Sequence, residues 1–93
     1  MIKRSKPDRD GHVKLTFSIP DTAPEGAVSL VGCFNAWDPY AHPLKARANG
    51  RRSAVVSVPA GDTVRFRYLG ENGRWFDDED ADALHHDGGL LHL

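Results

Sequence analysis

VSLVGCFNAWD, residues 28–38, joins a short apolar segment to a loop with two aromatic side chains. The apolar segment is bounded by Gly26 and Gly32 and is too short for a helix, which favours a buried β-strand. Phe34 and Trp37 follow in the loop, beside an asparagine and an aspartate whose short side chains commonly bond to nearby backbone groups. We therefore expect a strand that leads directly into an ordered loop.

Alternation of apolar and polar residues predicts further strands on both sides of this stretch. In VKLTFSI (13–19) and VRFRYL (64–69) every second residue is apolar, as in a strand that buries one face. Asn49-Gly50 predicts a type I′ hairpin turn, because both central residues of that turn need a positive φ. The expected strands cover residues 12–19, 27–31, 44–48, 52–58, 63–69, 74–76 and 90–93. Short strands with frequent turns and no helical periodicity predict an all-β fold, an antiparallel β-sandwich of about seven strands.

Length and composition limit the chain to one small domain. Residues 11–93 carry the strand pattern, whereas residues 1–10 are polar and predict a flexible basic arm. No apolar run reaches the roughly 18 residues of a membrane span, and the start of the chain lacks the apolar segment of a secretory signal. We therefore expect a cytoplasmic protein without a membrane partner. Cys33 is the one cysteine, which excludes an internal disulfide bond and a cysteine-based zinc site.

Charge is distributed unevenly along the chain. All 12 Lys and Arg residues precede residue 77, while six of the 13 acidic residues lie in residues 77–87. The basic residues are scattered over several segments rather than massed on one element, so nucleic acid is not an expected partner.

Candidate metal and catalytic patterns are incomplete. The aspartates from Asp78 to Asp82 have the spacing of the start of a calcium loop, but Ala83 stands where that loop requires a glycine. The adjacent His85 and His86 would point to opposite faces of an extended backbone. Paired carboxylates across a cleft, a nucleophile elbow and a phosphate-binding glycine loop are all missing from the sequence. We expect neither an enzyme nor a metal ion or other cofactor.

Two blocks of the sequence resemble the family 48 carbohydrate-binding modules. The first is G-x-F-N-x-W in residues 32–37, and the second combines the Pro59-Ala60-Gly61 turn, the strand Val64-Arg65-Phe66-Arg67-Tyr68 and Asn72-Gly73-Arg74-Trp75. These modules are the immunoglobulin-like early-set domains of isoamylases, branching enzymes and the beta subunit of AMP-activated protein kinase. The resemblance covers residues 11–80, is strongest to stand-alone bacterial early-set domains, and implies an immunoglobulin-like sandwich.

The resemblance also implies a sugar site. In sugar-binding members a loop tryptophan, a basic strand residue and a second tryptophan hold an α-glucan, and the matching positions here are Trp37, Arg67 and Trp75. The C–H faces of a pyranose suit an indole face, and a guanidinium offers donors to neighbouring hydroxyls. Asn35 and Asn72 are further candidates for amide contacts. Sugar-binding members usually carry an asparagine in the loop before the last strand, where this chain has His86 and Asp87 as the polar alternatives.

Two functions are therefore expected as alternatives. The first is a non-catalytic module that binds α-glucan, with a glycan-metabolising enzyme or another protein as a candidate partner. The second is a protein-interaction module on the same scaffold, supported by the altered loop and by outward-facing arginines. Residue types alone also leave both tryptophans as candidate core residues, Asn35 as a loop-capping residue, and Arg67 as an ion-pair partner of the acidic segment.

Overall fold

A computed structural model describes residues 1–22, 26–71 and 73–93 of the chain. Within them, short strands form two antiparallel sheets that pack face to face. In chain order the strands are β1 (Ile2–Arg4), β2 (His12–Pro20), β3 (Val28–Gly32), β4 (Lys45–Ala46), β5 (Arg51–Pro59), β6 (Thr63–Gly70), β7 (Trp75–Phe76), β8 (Ala83–His85) and β9 (Gly88–His92). The first sheet has the order β1-β2-β5-β4, and the second has the order β3-β6-β9-β8. The predicted all-β sandwich is confirmed.

The strand β6 is the centre of the second sheet. It pairs with β3 along one edge, and with β9 and then β7 along the other. Its residues alternate between the buried interior and the outer face, as the sequence pattern predicts. Side chains on the outer face of β6 therefore lie between the loop that follows β3 and the start of β7.

The core fills the space between the two inner faces. Phe17 of β2 meets Phe66 of β6 with ring centroids 4.8 Å apart, and both side chains are fully buried. The apolar residues of this core cluster come in near-equal numbers from the two sheets: Val13, Leu15, Phe17, Ile19, Ala54, Val56 and Val58 from the first, and Val28, Leu30, Val64, Phe66, Tyr68 and Leu91 from the second. This arrangement is the reason for the period-two pattern, because each strand gives alternate side chains to one shared core.

Three details of the predicted secondary structure were wrong. No strand was expected between residues 77 and 89, but Ala83–His85 forms β8 and pairs with β9. No strand was expected before Gly11, but Ile2–Arg4 pairs with β2, with Ile2 opposite Phe17 and packed against the core. A segment of three residues with one apolar side chain is too short to show a period of two. The Asn49-Gly50 turn is not type I′, since Gly50 has φ of 74° while Asn49 is not among the residues with positive φ.

The observed turn has a different loop length. Arg47 and Arg51 close it through a backbone hydrogen bond of 2.7 Å, which leaves residues 48–50 in the loop. A three-residue loop that ends in a left-handed glycine is the next common hairpin type. The Asn49 side chain also accepts a bond of 3.2 Å from the Arg51 N–H.

Among the described residues, no helical segment has the length and apolar character that crossing a membrane would require.

Candidate functional site

The loop after β3 begins at a glycine that permits close approach of two strands. A Cβ atom on Gly32 would lie 2.6 Å from the carbonyl oxygen of Arg65 on β6 and 2.5 Å from the Phe34 ring. Only a hydrogen fits at this position, so β3 can remain paired with β6 up to its last residue. A single 3₁₀ turn, Cys33–Asn35, then carries the chain away from the sheet.

The side chain of Asn35 fixes this turn from within. Its Oδ1 accepts a hydrogen bond of 3.1 Å from the Gly32 N–H, and its Nδ2 donates to the Leu30 carbonyl at 3.1 Å. The same Nδ2 lies 2.9 Å from Nδ1 of His42. Both amide hydrogens and the carbonyl are thereby used inside the loop. Of the two roles expected for Asn35, sugar contact and loop capping, the structure shows loop capping. Asn35 does not line the groove described below.

The loop then reverses through two residues with left-handed backbone. Ala36 has φ of 56° and Trp37 has φ of 59°, a conformation that is uncommon for residues other than glycine. The Trp37 N–H donates to the Gly32 carbonyl at 3.0 Å, which closes the turn. As a result the Trp37 indole is directed back over the outer face of β6.

The second tryptophan arrives from the opposite edge of β6. Leu69 of β6 pairs with Trp75 of β7, and Tyr68 pairs with Phe76. Because Phe76 packs against the core, Trp75 faces outward. Arg67 lies on the same outer face, with its Cζ atom 5.9 Å from the centroid of the Trp75 ring, a cation–π distance.

These side chains line one shallow groove of about 320 Å³ on the outer face of the second sheet. The groove is lined by Trp37, Arg65, Arg67, Trp75 and Asp87. Trp37 is 39% exposed and Trp75 is 43% exposed, so neither is a core residue. The structure therefore brings together three of the residues that the family resemblance suggested, Trp37, Arg67 and Trp75, from three separate segments.

Two ion pairs hold the arginines of the groove. Arg67 Nε donates to Asp77 Oδ1 at 3.1 Å, and Arg65 pairs with Asp87. Each guanidinium is thus oriented by a carboxylate, while its other N–H groups remain as donors in a fixed plane. The charges of the two arginines and of the two carboxylates that pair with them sum to zero.

A buried hydrogen bond anchors the acidic segment that supplies Asp77. The Tyr68 hydroxyl donates to Asp78 Oδ2 at 2.7 Å, and Asp78 Oδ1 accepts from the Asp80 N–H at 2.9 Å. Asp78 is only 8% exposed. Burial, together with the bond to this carboxylate, raises the pKa of Tyr68 well above its usual range. The Tyr68 hydroxyl therefore stays protonated and donates. Because Asp78 is held in this way, the backbone of the neighbouring Asp77 is held beside the groove.

The remaining residues to be placed are Asn72, which was predicted for the site, and Arg65 and Asp87, which line the groove. Asn72 lies outside the described residues. Arg65 was missed as a site residue, although it shares the outward alternation of Arg67 on β6 and could have been found by that signal. Asp87 was named only as one possible replacement for an asparagine. It reaches the groove because His85 pairs with Gly88, which places residues 86 and 87 at the tip of the β8–β9 hairpin.

No three histidine, cysteine or carboxylate side chains converge to hold a metal ion in the part of the chain that the structure describes. The groove presents aromatic faces and paired charges, a surface that can bind a ligand by contact and hydrogen bonding.

Comparison with known proteins adds one relationship. A segment of an α-glucan branching enzyme is similar to this chain. The 1,4-alpha-glucan branching enzyme GlgB of Rhodopseudomonas palustris (strain HaA2) is 40% identical over 47 residues. The match covers 50% of this chain and 7% of the enzyme, so half of the chain is similar to a small part of that protein. No model of a protein family matches the chain.

Proposed function

We propose that the groove formed by Trp37, Arg67 and Trp75 is a non-catalytic binding site for α-glucan. The observation that carries the proposal is the convergence of two half-exposed indoles and one oriented guanidinium on a single face. Partial similarity to an enzyme whose name specifies 1,4-alpha-glucan supports the choice of sugar.

The chemistry of the groove suits an uncharged, hydroxyl-rich ligand. Indole faces offer flat apolar area to the C–H face of a pyranose, and polar groups beside them set the orientation of the ring. Arg65 and Arg67 are already neutralised by Asp87 and Asp77, so an anionic ligand would compete with a carboxylate. A neutral glucan can accept hydrogen bonds from the remaining guanidinium N–H groups without breaking either ion pair.

Affinity should be modest because the groove is shallow. A ligand that keeps one face in water gives up little solvent per sugar unit. We expect dissociation constants from roughly micromolar to millimolar, about −8 to −4 kcal/mol.

The test is a titration of the ¹⁵N-labelled protein with maltoheptaose, followed by NMR. The indole N–H signals of Trp37 and Trp75 should shift in a saturable way. Trp37→Ala and Trp75→Ala should each weaken binding about tenfold, the loss expected for one aromatic contact. Tyr40→Ala is the matched control, because Tyr40 is an aromatic side chain that is 88% exposed and lies outside the groove.

Two outcomes of this titration would contradict the proposal. Indole signals that do not move at millimolar maltoheptaose would exclude the site. So would a Trp37→Ala protein that keeps a dispersed, folded spectrum and binds as tightly as the unmodified chain.

A second candidate function is a protein-interaction module on the same face. Tryptophan and arginine are enriched among the residues that dominate protein interfaces, and the groove holds two of each. Asp87, which is paired with Arg65, lies in the loop where sugar-binding members of the family that the sequence resembles usually carry an asparagine. A glycan-metabolising enzyme is the partner class we propose. Stoichiometric association with such an enzyme that maltodextrin does not displace would favour this candidate over sugar binding.

A further inference from the structure

A second concave site lies where the chain crosses from one sheet to the other. Residues 42–44 run along the outer edge of β3, with the Leu30 N–H donating to the His42 carbonyl at 2.9 Å and the Leu44 N–H donating to Val28 at 2.9 Å. The chain then enters the first sheet as β4. The space between this crossing and β5 is a pocket of about 350 Å³, at the small end of the range for ligand sites.

The polar groups that line this pocket are cationic or can donate hydrogen bonds. They are His42, Lys45, Arg47 and Ser53, and no carboxylate from the described part of the chain lines the pocket. Within the described residues, no carboxylate lies within ion-pair distance of Lys45 or Arg47. Among the described residues, the charge of this pocket is therefore not balanced, in contrast to the paired charges at the groove on the other sheet.

Arg47 is held in place by a neutral partner. Its Nε donates to Ser53 Oγ at 2.9 Å, so the hydroxyl accepts that bond and keeps its own hydrogen as a donor. The side chain of Arg47 is thereby oriented without loss of its charge. The terminal N–H groups of the guanidinium remain as donors.

Asn35 also determines which ring nitrogen of His42 carries the hydrogen. The Gly32 N–H can only donate, which identifies Oδ1 of Asn35 as the acceptor and Nδ2 as the donor toward His42 Nδ1. Nδ1 of His42 therefore accepts, and the ring carries its hydrogen on Nε2. An edge contact with the Phe34 ring, at a centroid distance of 5.8 Å, holds the imidazole in this orientation.

We propose that this pocket binds a phosphomonoester group, with Lys45 and Arg47 as the charged ligands and Ser53 and His42 as neutral donors. A phosphate oxyanion provides several acceptor oxygens for donors of this kind, and its charge matches two adjacent cations. The pocket is independent of the groove, since the two share no lining residue.

The rest of the lining indicates that the phosphate is carried on an organic molecule. Pro43 and Val55 contribute apolar surface, and Val55 is 48% exposed although it lies in the middle of β5. Such surface can contact the carbon skeleton of a ligand whose phosphate is held by the cations. A sugar phosphate should therefore bind more tightly than inorganic phosphate does.

The test uses inorganic phosphate, glucose 1-phosphate and a phosphorylated maltooligosaccharide as probes in NMR titrations of the full chain. Saturable shifts are expected at the amide signals of Lys45, Arg47 and Ser53. Lys45→Gln and Arg47→Gln should each weaken binding of glucose 1-phosphate about tenfold, the usual effect of losing one charge-assisted hydrogen bond. Lys14→Gln is the matched control, because Lys14 is exposed on β2 and does not line the pocket.

The three probes also distinguish the source of the phosphate. Tight binding of glucose 1-phosphate alone identifies a free metabolite, whereas tighter binding of the phosphorylated oligosaccharide identifies a modified glucan. Trp37→Ala should leave binding of glucose 1-phosphate unchanged, which separates this proposal from the proposed glucan site. The proposal is overturned if shifts do not saturate with any probe, or if Lys14→Gln weakens binding as much as Lys45→Gln does.

Discussion

Replacement of Gly32 by alanine tests how the start of the loop builds the groove. The added Cβ would lie 2.6 Å from the Arg65 carbonyl oxygen, whereas ordinary contact begins at 3.4 Å, so β3 and β6 would have to separate by about 0.8 Å (3.4 − 2.6). Backbone atoms in a paired ladder cannot give way as the end of a flexible side chain can. Overpacking of this kind typically costs about 1 to 3 kcal/mol. We expect about 2 kcal/mol, which lowers Tm by about 8 to 16 °C in a domain of this size.

The assay is urea denaturation followed by tryptophan fluorescence, with Gly70→Ala as the matched control. Gly70 also lies in a paired strand of the second sheet, but a Cβ there would lie 3.4 Å from its nearest neighbour, the carbonyl oxygen of Arg74. That variant should remain within about 0.5 kcal/mol of the unmodified protein. Equal stability of the two variants would refute the claim that close approach of β3 and β6 requires a glycine at position 32.

Two further perturbations concern buried and charged groups. Tyr68→Phe removes the donor to the buried Asp78 carboxylate and should lower the free energy of unfolding by about 1.5 to 3 kcal/mol, measured by urea denaturation; a loss below about 0.5 kcal/mol would contradict this. The Asp82 carboxylate accepts bonds from the His92 N–H and from Arg4, and these hold its pKa below the usual value. Its contribution is therefore present above the unfolded-state pKa and is lost as pH falls through the lowered folded-state pKa, so Asp82→Asn should flatten the decline of stability below about pH 4 in denaturation curves recorded at several pH values. An unchanged acid profile would show that this carboxylate does not contribute.

The fold was predictable because burial of one face of each strand in a β-sandwich produces a regular pattern of apolar residues along the sequence. In β2 and β6 every second side chain enters the shared core, so the period of two is visible in the sequence itself. The strand β1 shows no such pattern, since its position depends on pairing of Ile2 with Phe17 rather than on its own sequence. The turn at residues 48–50 shows the same limit. Its dipeptide fits two turn types, and the register between β4 and β5 selects one of them.

The candidate site was predictable only where the position of a side chain follows from its strand. Arg67 faces outward because its neighbours in β6 face inward, and Trp75 follows from the hairpin that pairs it with Leu69. Asn35 could not be assigned in this way. Whether its amide faces a ligand or the loop depends on the Leu30 carbonyl and on His42, which the sequence does not place beside it. Asp87 likewise enters the groove through the register of β8 and β9.

The same cationic residue types are placed in opposite electrostatic settings on the two sheets. In the groove, Asp77 and Asp87 neutralise the arginines, so each guanidinium is a rigid hydrogen-bond donor with little remaining attraction for anions. In the pocket beside β4, a serine hydroxyl orients Arg47, and no carboxylate of the described residues pairs with this guanidinium. Because a neutral partner preserves charge and a carboxylate cancels it, the choice of partner for each arginine sets the class of ligand. We therefore propose an uncharged glucan as the ligand of the first site and a phosphate group as the ligand of the second, although both sites present arginine.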